Sequence, residues 1–116
     1  MYREIENIEG IRFNITGYEV PLAPVTVVDS RITSAIGGIL MMAFVDAEAL
    51  QMTLDNGIAT YWSRSRSGLW IKGESSGNIQ LVRAVFTDCD SDALIFDVIA
   101  PEASCHNGTF SCFKVK

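Results

Sequence analysis

The segment Asp88-Cys89-Asp90-Ser91-Asp92, followed by Cys105-His106 and Cys112, gathers three aspartates, every cysteine and the one histidine of the chain. On a β-strand, a spacing of two points Asp88, Asp90 and Asp92 to one face and Cys89 to the other. Hard carboxylate oxygens suit Mg²⁺ or Mn²⁺, and soft thiolates suit Zn²⁺. One short strand would then present half of a hard-metal site on one side and a soft-metal ligand on the other. The bland alternatives stay open on spacing alone. Three acids can be a solvated strand end, although like charges on one face repel unless a cation compensates. Free cysteines are often small buried hydrophobes. An EF-hand loop is excluded, because its sixth and twelfth positions would be Ala93 and Ile99 instead of Gly and Glu. If three thiolates do hold zinc, the fourth tetrahedral position is open, as in a catalytic site. His106 adjoins Cys105 and titrates near neutrality when unperturbed, which suits a general acid or base. It could also be the fourth ligand and close the site.

A second group of residues offers different chemistry. Tyr61-Trp62-Ser63-Arg64-Ser65-Arg66 is followed by Leu69-Trp70-Ile71-Lys72-Gly73-Glu74-Ser75-Ser76-Gly77-Asn78. Arg64, Arg66 and Lys72 are three of the nine basic residues, placed beside both tryptophans. Alternation puts Trp62 and Arg64 on one face, with Ser63 and Ser65 on the other. Guanidinium and ammonium groups bind phosphate, and Ser76, Asn78 and glycine-rich backbone add donors. An indole stacks on a purine. The group reads either as a site for a phosphorylated planar ligand or as an ordinary amphipathic hairpin with solvated arginines.

The elements that must hold these residues follow from pattern. Residues 1–20 form a weakly patterned lead-in. Val25–Asp29 is a strand, Ser30–Gly38 a polar connection, and Ile39–Val45 a strand whose unbroken apolar character predicts burial on both faces. Asp46 caps a helix of about ten residues that Gly57 stops. Ala59–Ser65 and Leu69–Lys72 form a hairpin around Arg66-Ser67-Gly68. Gly73–Asn78 is a loop. Ile79–Thr87 and Ala93–Ala100 are strands flanking the aspartates, Pro101–Gly108 is a loop and Phe110–Val115 a last strand. The sum is an α+β fold, mainly antiparallel strands in a small roll with one principal helix.

Composition bounds what this fold serves. At 116 residues the chain is one domain, residues 1–116, with no internal repeat or linker. It is 48% hydrophobic and 20% charged, which is a globular composition. A net charge of −5 argues against general nucleic-acid or anionic-membrane binding. The acidic, polar start is no signal peptide. The longest apolar run, Ile36 to Val45, is half of the roughly 20 residues a membrane span requires. A cytoplasmic protein with reduced thiols is expected.

Tyr61-Trp62-Ser63-Arg64-Ser65-Arg66, Leu69-Trp70-x-Lys72-Gly73-Glu74-x-Ser76-Gly77-Asn78-x-Gln80, Asp88-Cys89-Asp90-x-Asp92-Ala93-Leu94 and Cys105-His106-x-Gly108-x-x-Ser111-Cys112-Phe113 resemble the motif set of the phosphoribosyl-AMP cyclohydrolase family. They stand in that family's order and spacing, from about Val25 to Phe113. Leu40-Met41-Met42-Ala43-Phe44 and Glu48-Ala49-Leu50 fit as well.

The resemblance implies a homodimeric enzyme of histidine biosynthesis. It would open the N1–C6 bond of the purine ring of N1-(5-phosphoribosyl)-AMP to give the formimino-carboxamide ribotide ProFAR, using a zinc-activated water. Carried onto this chain, Cys89, Cys105 and Cys112 become zinc ligands shared between the two subunits, Cys89 from one and the other two from its partner. Asp88, Asp90 and Asp92 become magnesium ligands, and His106 shuttles the proton. Arg64, Arg66 and Lys72 hold the two 5′-phosphates, Trp62 or Trp70 stacks on the purine, and Glu74 is a second proton-transfer candidate. The chain departs from the family at Glu102-Ala103-Ser104, where Gly-Pro-Ala is usual, and at Asn107, where Thr is usual. Its Ile32–Gly37 connection is also longer. Ending at Lys116, it is expected to carry this activity alone. Zinc deaminases are a poorer match, since their His-x-Glu and Pro-Cys-x-x-Cys are absent. A non-enzymatic domain would use the same cysteines for structural zinc or core packing.

Overall fold

The computed structural model describes residues 2–32, 38–75 and 77–99. Seven strands and one helix follow in the order β1 (Tyr2–Ile5), β2 (Ala23–Val28), β3 (Ile39–Val45), α1 (Ala47–Asn56), β4 (Thr60–Ser63), β5 (Gly68–Ile71), β6 (Leu81–Asp88) and β7 (Leu94–Ile99). Five strands form one sheet in the order β1-β6-β7-β2-β3, and β4-β5 is a separate hairpin. Every pair is antiparallel except β2–β7, which is parallel. The α+β architecture with mostly antiparallel pairing is as expected. The predicted loop at Pro101–Gly108, the strand at Phe110–Val115 and part of the Ser30–Gly38 connection lie outside the described residues.

Helix α1 forms where its caps dictate. The Asp46 carboxylate accepts from the Ala49 N–H at 2.7 Å, satisfying one of the donors a helix start leaves free. Gly57 ends the helix in the left-handed conformation, φ 71°, and its N–H returns to the Thr53 carbonyl at 2.9 Å. The buried face carries Ala49, Leu50 and Thr53. Thr53 Oγ1 donates to the Ala49 carbonyl and accepts from the Thr60 N–H at 3.0 Å, which ties the helix to β4.

The hairpin docks through Tyr61. Its ring stacks on Phe96 of β7, 5.7 Å between centroids, and its hydroxyl donates to Gln80 Oε1 at 2.6 Å. Burial pushes the Tyr61 pKa well up, so the phenol is a neutral donor in this core. Around it, Val25, Val27, Met41, Val45, Leu50, Val85, Leu94 and Val98 close one hydrophobic cluster.

Two expectations are corrected. The lead-in contains a strand, since Tyr2–Ile5 pairs along β6 from Asp88 to Val85. Only Ile5 of its four residues is buried, so no alternation is visible in the sequence. Strand β3 is not buried on both faces. It lies at the sheet edge, and Met42 is 58% exposed.

Candidate active site

The three aspartates converge, though not by the pleat of a strand. Strand β6 ends at Asp88 and β7 begins at Leu94, so Cys89 through Ala93 form the connecting turn. The Ser91 N–H donates to the Asp88 carbonyl at 3.1 Å, and Ser91 adopts φ 60°. The turn, rather than a shared strand face, brings one carboxylate oxygen of each of Asp88, Asp90 and Asp92 within 4.8 Å of the others. Oxygens this close can share one hard cation. Cys89 is an exposed free thiol on the same turn, its Sγ 3.9 Å from Asp90 Oδ1, not on an opposite strand face.

Asp88 is the anchor of the turn. Burial opposes its ionisation, but the Asp92 and Ala93 N–H groups, 3.2 and 3.4 Å from Oδ1, outweigh burial and hold its pKa below the usual carboxylate value. Asp88 is therefore charged near neutrality. The stability those bonds contribute is complete above an ordinary carboxylate pKa of about 3.9 and is lost as pH falls through the lower folded value.

The N-terminal segment braces this turn. Tyr2 pairs with Asp88, Arg3 Nη2 donates to Ser91 Oγ at 3.1 Å, and the Arg12 N–H donates to the Ser91 carbonyl at 2.7 Å. Arg3 and Arg12 were not among the residues expected to matter. Their contacts span some 80 residues of chain, and no local pattern announces them.

The hairpin sorts its residues differently from simple alternation. Strand β4 stops at Ser63, so Arg64 lies in the turn and does not extend the Trp62 face. There the Arg64 guanidinium rests 4.1 Å from the centroid of the Phe44 ring. Arg64 and Arg66 are both exposed, and the Arg66 N–H donates to Ser63 Oγ at 3.2 Å. Cross-strand partners share a face: Tyr61 faces Trp70, and Trp62 faces Leu69. The two tryptophans thus occupy opposite faces of the hairpin. Trp70 is 36% exposed, and Lys72 Nζ sits 5.8 Å from its ring centroid. Trp62 is partly buried, and its Nε1 is enclosed without a hydrogen-bond acceptor. Glu74 is exposed and Asn78 is half-buried. Ser76, Cys105, His106 and Cys112 lie outside the described residues.

The loop after β5 is held by a glycine that no other residue can replace. Gly73 has φ 84°, and a Cβ there would overlap the Asn78 carbonyl and the Ile79 amide nitrogen. Gly73→Ala is expected to destabilise the protein by about 2–4 kcal/mol, from left-handed strain plus a backbone clash. Urea unfolding measures this, and a midpoint equal to wild type would contradict the tight loop.

The phosphoribosyl-AMP cyclohydrolase family model matches residues 41–114, which span the hairpin, the aspartate turn and the Cys105-His106/Cys112 segment. A phosphoribosyl-AMP cyclohydrolase of Micrococcus luteus is 50% identical over 98 residues, covering 79% of this chain and 78% of that protein. One of Pelodictyon phaeoclathratiforme is 46% identical over 109 residues, 94% of this chain and 74% of its own. One of Leifsonia xyli is 44% identical over 105 residues, 85% and 84% respectively. A family match across these motifs, with such identity over most of both chains, shows that this chain belongs to the phosphoribosyl-AMP cyclohydrolase family and is an enzyme of that class.

Proposed function

We propose that this enzyme hydrolyses the N1–C6 bond of the purine ring of N1-(5-phosphoribosyl)-AMP, giving ProFAR for histidine biosynthesis, as a cytoplasmic homodimer of the single domain 1–116. The observation that carries this reading is the convergence of the Asp88, Asp90 and Asp92 carboxylates on the turn that also bears Cys89. Carboxylates able to share a hard cation, beside a thiol of the kind that suits a soft metal and inside the span matched by the family model, support this reading. All-oxygen coordination suits Mg²⁺, with Asp88 already ionised and the turn braced from the N-terminus. An exposed thiol on Cys89 suits Zn²⁺ completed by Cys105 and Cys112 of the partner subunit. Zinc, when bound, supplies a water acidified toward neutrality.

The chain's own residues then have separate tasks. His106 takes the proton from the attacking water and delivers it to the departing N1. Arg64, Arg66 and Lys72 supply positive charge to the two 5′-phosphates, and Trp62 or Trp70 stacks on the purine. Ser76 and Asn78 add polar contacts, and Glu74 is the second group within the motif able to move a proton. C6 is a fitting target, because a ribose on N1 leaves the ring without its aromatic neutrality and raises the electrophilicity of that carbon.

Asp90 tests the magnesium half of this reading. It is exposed, so Asp90→Asn leaves the unliganded fold intact and relieves repulsion within the triad. Magnesium affinity is expected to fall about 10–100-fold or more, by analogy with weaker perturbations of metal sites. A magnesium titration of turnover measures it. Full activity in wild type without any added magnesium would overturn the assignment.

A further inference from the structure

Ser91 stands between Asp90 and Asp92, two of the three aspartates that converge on the β6–β7 turn, and its N–H, carbonyl and hydroxyl oxygen are all engaged. The N–H donates to the Asp88 carbonyl at 3.1 Å, the carbonyl accepts from the Arg12 N–H at 2.7 Å, and Oγ accepts from Arg3 Nη2 at 3.1 Å. The first bond closes the turn. The other two reach it from the far end of the sequence, and all three bear on a residue at φ 60°, a left-handed conformation unfavourable for a side chain-bearing residue.

The two clasps rest on different foundations. Arg12 lies between Ile11 and Phe13, which both pack against the core, so its amide is well placed. Arg3 belongs to β1, an edge strand with three of its four residues exposed. β1 is held by its ladder to β6, by Ile5 in the core, and by the Tyr2 ring, edge-on to Phe86 at 5.2 Å between centroids. A short edge strand with so little buried surface opens at low free-energy cost. The turn it clasps carries its own opposing force, because three carboxylates whose oxygens lie within 4.8 Å repel one another until a cation draws them together.

We infer that Ser91, clasped by Arg3 and Arg12, is the positioning residue of the aspartate cluster, and that docking of β1 and binding of a hard divalent cation reinforce each other. This rests on the magnesium half of the function proposed above. It adds to it Arg3 and Arg12, which lie outside the 41–114 span of the family match. The clasp sets the spacing of Asp90 and Asp92 before the ion arrives, so less ordering accompanies binding. The linkage is reciprocal: the factor by which the clasp raises cation affinity is the factor by which the cation favours docking of β1.

The test uses the zinc-loaded protein with Mn²⁺ alone as probe, its binding followed by electron paramagnetic resonance. Ser91→Ala deletes the acceptor without changing charge. It is expected to weaken Mn²⁺ binding about 10-fold, the low end of what partners outside a metal's own ligands contribute, because the bond is exposed. Arg3→Met is expected to weaken binding as well, although Coulomb's law alone would tighten it when a cation near three carboxylates is removed. The opposite signs separate positioning from charge. The two substitutions together are expected to weaken binding no more than Arg3→Met alone, because they break the same bond. Ser91→Gly also lacks the hydroxyl but relieves the left-handed backbone, so its Tm is expected to be no lower than that of wild type while Mn²⁺ binds more weakly. It carries the test if Ser91→Ala fails to fold. Hydrogen exchange reads the reciprocal effect. Saturating Mg²⁺ is expected to slow exchange of the β1 amides by about the factor that Ser91→Ala loses in affinity, and to slow it less in that variant. Wild-type Mn²⁺ affinity in the Ser91 variants, tighter binding in Arg3→Met, or β1 exchange indifferent to the cation overturns the inference. If Asp90→Asn still weakens Mn²⁺ binding in those cases, the proposed function stands. Wild type that does not bind Mn²⁺, or binds it no better than Asp90→Asn, overturns the magnesium reading and this inference with it.

Discussion

Replacing His106 with alanine is expected to lower kcat by about 10²–10⁴-fold, the range that positioned proton transfer contributes, while zinc remains bound. His106 is the one side chain of this protein whose ordinary pKa, about 6.5, lies near neutrality. The reaction proposed above would remove a proton from water and place one on N1, and a single group of that ordinary pKa would serve both transfers. The pH–rate profile of wild type should therefore carry a limb that His106→Ala lacks. Zinc content by metal analysis separates this role from ligation, since a fourth ligand would take the metal with it. Retained turnover with an unchanged pH profile would remove His106 from the mechanism.

Cys89→Ser is expected to abolish zinc binding and to reduce turnover by more than the 10–100-fold, roughly, that the loss of a metal's outer-shell partner brings. The structure makes the test clean. Cys89 is exposed on the aspartate turn, and among the described residues its thiol's hydrogen-bond contact is to the Asp90 carboxylate, at 3.9 Å. No core packing is lost with its sulfur, so the metal-free protein should unfold within about 0.5 kcal/mol of wild type. A cysteine buried as a small hydrophobe would behave oppositely, costing stability and sparing activity. Sedimentation of Cys89→Ser also reports on the dimer, which should loosen if the metal bridges the subunits. Normal zinc content in this variant would exclude Cys89 as a ligand.

Much of this was legible because it is local. Helix α1 could be bounded at Asp46 and Gly57 because a carboxylate cap and a left-handed glycine are fixed by chemistry within four residues. The β4–β5 hairpin and the β6–β7 pair announced themselves by alternating apolar runs around turn residues. The aspartate cluster was found from its spacing, but for the wrong reason. A spacing of two suggests a strand, whereas the ladder ends at Asp88 and the convergence comes from a turn closed by Ser91.

Other features are set by partners distant in sequence. The parallel pairing of β2 with β7 joins segments some 70 residues apart. β1 is a strand only because β6 supplies its hydrogen bonds. The exposure of Met42 follows from the edge position of β3, which composition cannot reveal. The burial of Lys72 was likewise invisible, since a lysine in a polar, glycine-rich stretch reads as solvated. The family motifs filled part of that gap by naming residues whose neighbours the sequence does not display.

One measurement bears most directly on the central claim: an ultraviolet absorbance assay of the purified protein with N1-(5-phosphoribosyl)-AMP and Mg²⁺, run beside a chelator-treated sample. Turnover that disappears with chelator and returns with zinc is the predicted result, and it establishes reaction and metal together. A folded, zinc-containing dimer that leaves the purine absorbance unchanged would contradict the account, and the altered residues Ser104 and Asn107 around Cys105-His106 would be the first place to look.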